Sequence, residues 1–137
     1  MYRGDPVDGD IVIHDARHWA LGGTGLAAGD RLPGLLGYEV DGVHDAAKAR
    51  ALGLEVIAES PWAAMNDAST HGLSHMATHT ASSGAVVFAA GTMQWAWGLD
   101  DFNAPALRTS RLHPACERIM RNVMARMGVA ARGARAG

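Results

Sequence analysis

Apolar positions in this chain fall in short runs rather than in one long period, and glycine, proline and acidic residues separate them. Residues 11–13 (IVI) are the first run, bounded by Gly9-Asp10 and His14-Asp15, which predicts a strand. The punctuated segment GGTGLAAGDRLPG reads as a long loop. Leu35 to Val40 predicts a second strand, ended by the turn pair Asp41-Gly42. Asp45 is placed to cap a short helix through Ala51, closed by Gly53. Leu54 to Ala58 predicts another strand, stopped by Ser60-Pro61, and the small, polar residues 63–74 predict a loop. His75 to Thr80 and Ala85 to Ala90 read as a hairpin turning at Ser82-Ser83-Gly84. AVVFAA has no polar member, the pattern of a central strand covered on both faces. The last period is the clearest. Behind Pro114, which suits a first helical turn, Cys116, Ile119, Met120, Val123, Met124 and Met127 share one helical face, and Gly128 is the stop.

These runs predict an α/β domain, but one long helix is sparse cover for a complete doubly wound sheet. Either the sheet is largely antiparallel, or the chain is the later half of a bigger domain. At 137 residues, 48% hydrophobic and 19% charged, the chain suits one folded unit, expected over residues 10–128 with a disordered tail over 129–137. Cys116 is the only cysteine, so an intramolecular disulfide and a thiolate-rich metal site are both excluded. Its place on the apolar stripe predicts a buried structural thiol. The opening MYRGDPVDGD lacks a signal peptide's apolar core, and the run from Gly84 to Leu99 is too short to span a bilayer. The expected compartment is the cytoplasm, with no membrane partner.

Charge changes the picture at one end. The net charge of -2 hides seven arginines from Ala104 onward against a single acid, Glu117. A basic end can mark nucleic-acid contact. No aromatic residue interleaves these arginines, which favours a solvated helix face or a face docked on an acidic partner. Nucleic acid is therefore not expected as a partner.

Candidate chemistry is thin outside two places. GGTGLAAGD fits neither GxGxxG before a helix nor GxxxxGK[ST], and Lys48 is the only lysine. His14 and His18, and His71, His75 and His79, are four apart, a ligand spacing on a helix. The threonines and serines around 78–83 argue instead for extended chain, so no metal site is assigned to them. In GYEVDG, Glu39 and Asp41 share one face of a strand with Tyr38 and Val40 opposite. Such a pair can bind a cation or supply a general acid or base; a solvent-facing strand end is the plain alternative. Glu39 is the stronger candidate, because Asp41 already has a turn to make. Trp95 and Trp97 follow the apolar strand and read as a core lid or as the wall of a substrate pocket, core packing being the commoner role.

The runs HWALGGTGLAAGDRLPGLLGYEVDG (residues 18–42) and SGAVVFAAGTMQWAWGLDDFN (residues 83–103) together resemble the C-terminal part of the N,N-dimethylformamidase large (beta) subunit family. The ending RIMRNVMARM also fits, so the resemblance covers about His14 to Met127. It implies a class I glutamine amidotransferase-like, flavodoxin-like sheet, of which this chain would be the C-terminal portion. It also implies hydrolysis of a formamide C–N bond at a mononuclear iron held by two tyrosines and a glutamate, with a further catalytic glutamate. Glu39 matches that further glutamate. The chain's tyrosines, Tyr2 and Tyr38, do not stand in a ligand context, which places the iron ligands upstream of residue 1. The resemblance thus implies iron not bound by this chain alone, a small amide substrate, inactivity in isolation, and a homo- or hetero-oligomer with the upstream part or a companion subunit. The alternative is a noncatalytic interaction module docking on a larger subunit.

Overall fold

Two antiparallel sheets carry the fold in the computed structural model, which describes residues 6–104, 106 and 108–129. Strand β1 (Val7–Val12) pairs with β2 (Arg31–Tyr38). Strands β3 (Leu54–Ala63), β4 (His71–Thr80) and β5 (Val86–Ala89) form the second sheet in that order. The sheets are tied where the chain leaves β1: Ile13 bridges Ala58, and the His14 N–H donates to the Ile57 carbonyl at 2.9 Å. The buried Ser60 hydroxyl accepts from the Val12 N–H at 3.0 Å.

Alternation along β4 explains the layering. Ser74, Met76 and Thr78 point into the core, while His75 and His79 lie on the opposite face. Ile11, Ile13, Leu32, Leu35, Leu36 and Ile57 are fully buried members of one apolar core. Helix α2 (Pro114–Arg126) closes the core with Cys116, Ile119 and Val123, packing on two short 3-10 helices, Trp19–Leu21 and Met93–Gly98. Helix α1 (Ala46–Ala51) buries none of its residues and is capped by Asp45, whose carboxylate accepts from the Lys48 N–H at 2.8 Å.

Several boundaries depart from the sequence reading, each for a physical reason. β2 begins at Arg31 rather than Leu35, and β3 runs through Ser60-Pro61 to Ala63. Proline is tolerated there because both are edge strands, where the missing N–H need not face a ladder. β4 starts at His71, inside the expected loop. The apolar strand β5 is an edge strand and not a central one: Phe88 turns inward, and Val87 is 54% exposed. Apolar composition alone does not encode how many sides of a strand are covered.

Every ladder among the described residues is antiparallel, which is the largely antiparallel arrangement that sparse helical cover suggests. The fold shown is mixed α/β with two antiparallel sheets and few helices. Elements extend from Val7 to Arg126. From residue 130 onward the expected tail lies outside the described residues. Among the described residues no helix is long and apolar enough to cross a membrane.

Candidate functional site

The end of β2 builds the most chemically suggestive cleft. The ladder stops at Tyr38, whose φ of 51° is left-handed, so the chain leaves the strand pleat before Glu39. It is then held against the segment that follows β5. The Asp41 N–H donates to the Gly91 carbonyl at 2.9 Å, and the His75 N–H donates to the Asp41 carbonyl at 3.0 Å. The Thr92 hydroxyl oxygen accepts from the Gly37 N–H at 2.8 Å and donates to the Gly37 carbonyl at 3.1 Å. Gly91 is required here: its φ is 73°, and a Cβ would lie 2.2 Å from the His75 carbonyl oxygen. The result is an open cleft of about 240 Å³ lined by Glu39, Asp41, Gly91, Thr92 and Met93.

Glu39 and Asp41 therefore share a site, though through a turn rather than through a regular strand face. Both are exposed. Among the described residues the Glu39 carboxylate has no hydrogen-bond or ion-pair partner, which leaves it available to a ligand.

The two tryptophans part company. Three residues per turn put positions two apart about 120° from each other around a 3-10 helix. Trp95 goes inward, 7% exposed, with Phe88 at 6.1 Å and a buried Nε1 that has no hydrogen-bond partner among the described residues. Trp97 is half-buried at the edge of the core, edge-on to Tyr38 at 5.9 Å and beneath the guanidinium groups of Arg108 (5.0 Å) and Arg111 (5.1 Å). Neither lines the Glu39 cleft. Trp97 instead steadies the residue that precedes Glu39.

Arg108 and Arg111 are residues the sequence did not single out. Arg111 donates to Asp8 at 3.0 Å, to Gln94 Oε1 at 2.7 Å and to the Gly34 carbonyl, tying β1, β2 and the second 3-10 helix together. Arg108 donates to Asp101 at 3.1 Å. The Ser110 hydroxyl, with Arg108 behind it, holds the Asp101 carboxyl below its ordinary value. No sequence signal marks a pair such as Arg111 and Asp8, 103 residues apart.

Two of the histidines, His18 and His75, are absorbed by structure, whereas the buried Nδ1 of His79 has no hydrogen-bond partner among the described residues. His18 Nδ1 accepts from the Ala20 N–H at 3.1 Å, and Nε2 lies 3.0 Å from the Thr78 hydroxyl and 3.5 Å from Glu55. His75 Nδ1 accepts from the Val43 N–H at 3.1 Å, with Nε2 3.5 Å from Glu59. Cys116 is fully buried, and burial pushes its thiol up to about 12.

The donor set expected for iron does not assemble from the described residues. Tyr38 is 57% exposed with its ring against Trp97, and Tyr2 lies outside the described residues. Among the described residues no group of three or more His, Cys, Asp or Glu side chains could hold a metal ion. No chemical step is derived through a metal here.

Fold and cleft together define a mixed α/β domain with a two-carboxylate cleft at a strand end. A family model for the C-terminal domain of N,N-dimethylformamidase beta subunit-like proteins matches residues 1–110, and the chain belongs to that family. The matched stretch contains both runs that carry the resemblance and the whole Glu39 cleft, and it ends before α2. No curated protein and no solved structure matches the chain.

Proposed function

We propose that this chain is the cleft-bearing part of an amide hydrolase, with Glu39 as its acid–base group and a small formamide as substrate. The observation that carries this reading is the pairing of Glu39 and Asp41 on one small cleft inside the family-matched stretch. In formamide hydrolysis a C–O bond forms from water, the C–N bond breaks, and a proton passes from the water to the leaving amine. A carboxylate beside the scissile bond can accept that proton and deliver it to nitrogen. Thr92 and Gly91 fix the backbone on either side of the cleft, and Trp97 packs on Tyr38 next to Glu39.

The cleft is open, so a companion polypeptide closes it around the substrate and the one water that is consumed, shields it from bulk solvent and supplies the ligands of the iron that the family resemblance implies. The same companion contributes whatever glutamine amidotransferase-like sheet the assembled enzyme has. The test is release of dimethylamine from N,N-dimethylformamide by the purified chain alone and after co-expression with the remaining part of a family enzyme. The proposal expects turnover and bound iron only in the combination. Stoichiometric iron and turnover in the chain alone would overturn it.

A second reading, a noncatalytic module docking on a larger subunit, draws on the exposed Val87 of edge strand β5 and on Met93, 60% exposed. It expects assembled activity that does not depend on Glu39.

A further inference from the structure

Helix α2 presents a second surface, independent of the Glu39 reading and beyond the matched residues 1–110. Its inner stripe is spent on the core. Its outer flank leaves a groove of about 530 Å³ floored by Leu99, Met120, Met124 and Val129 and edged by Arg118, Arg121 and the single acid Glu117, so its rim is net positive. Leu99 is 39% exposed, Met124 42% and Val129 55%. Adjacent apolar side chains of this size mark an interaction surface, and methionines adapt their shape to an incoming helix.

The charge around the groove says what fits it. Arg118 has no hydrogen-bond or ion-pair partner among the described residues, and Arg121 is held by Glu117 at 2.6 Å. Two occupants from this chain are a poor match. Residues 130–137 are only alanine, glycine and arginine, with no large apolar side chain and two more positive charges. A second copy would offer α1, whose sequence AAKARA carries two cations and no acid, or α2, itself net basic.

We propose that the groove beside α2 is a docking site for an acidic amphipathic helix of a partner polypeptide. Apolar residues spaced three and four apart on that helix seat on Met120 and Met124, and flanking carboxylates meet Arg118 and Arg121.

The test uses the full chain and two designed helical peptides with one leucine face, flanked in one by glutamates and in the other by lysines. Calorimetry is expected to show the glutamate peptide binding at least about tenfold tighter, with affinity falling as salt is raised. NMR of methionine methyls is expected to place the contact at Met120 and Met124. The double variant Arg118→Glu, Arg121→Glu is expected to reverse the preference. Both side chains are exposed, and the loss of the Arg121–Glu117 pair should lower its melting point by only a few degrees, roughly what one exposed i,i+4 ion pair contributes. Equal affinity for both peptides, contact mapped elsewhere, self-association occupying the groove, or preference for phosphatidylserine vesicles over the glutamate peptide would each overturn the proposal.

Discussion

Tyr38 sits at φ 51°, a conformation that costs a non-glycine residue about 1 kcal/mol or more, and this single residue decides where Glu39 goes. By leaving the ladder it carries Glu39 and Asp41 to the segment around Gly91, and Thr92 pins the departure. Cys116 shows residue-scale chemistry of the opposite kind. Its thiol, at 9.0 when unperturbed, is pushed to about 12 by burial, so the folded state keeps a proton that the unfolded chain gives up. The stability this contributes is full below about pH 9 and declines as pH rises from there toward about 12. The unfolding free energy of wild type minus that of Cys116→Ala should fall across that range. A flat difference, or native-state reaction of Cys116 with a thiol reagent near neutral pH, would contradict it.

At the scale of elements, the second 3-10 helix and α2 meet without slack. A Cβ on Gly98 would lie 2.5 Å from Cys116 Sγ and 2.8 Å from Leu35 Cδ1. Gly98→Ala is therefore expected to cost about 1–3 kcal/mol in denaturant unfolding. Adding Cys116→Ala removes the sulfur and should recover part of that loss, so the two changes are non-additive. Strict additivity would show that the clash is relieved elsewhere. The period of α2 was readable because a helix repeats its burial every three to four residues, and Cys116, Ile119 and Val123 are indeed buried. Met124 and Met127 belong to the same apparent stripe yet are each 42% exposed, because hydropathy does not say how wide the covered arc is. The cap at Asp45, the hairpin into β5 and the stop at Gly128 were readable from turn chemistry. The length of β3 was not, since Pro61 reads as a terminator until the strand is known to lie at an edge.

At the scale of the molecule, the pieces that make the cleft come from residues 37–41 and 89–93, and the clamp beside it joins Asp8 to Arg111. Such juxtapositions leave no local pattern, which is why the strand-end carboxylates Glu39 and Asp41 stand out in the sequence while their neighbours Gly91, Thr92 and Arg111 do not. The split between Trp95 and Trp97, which the sequence presents as one motif, is by contrast local: it follows from the 3-10 turn. Family membership was legible because two long, unusual runs carry it, and both lie inside the matched stretch.

The role proposed for Glu39 is to move the proton in amide hydrolysis by the assembled enzyme. Glu39 is exposed and unpaired among the described residues, so Glu39→Gln should leave folding and assembly unchanged. The most direct measurement is kcat for N,N-dimethylformamide with wild type and Glu39→Gln, each assembled with the companion polypeptide to the same mass and iron content. A fall of about 10²–10⁴-fold is predicted, the usual contribution of a positioned acid or base. An unchanged kcat in a correctly assembled Glu39→Gln enzyme would contradict the account and leave the docking role in its place.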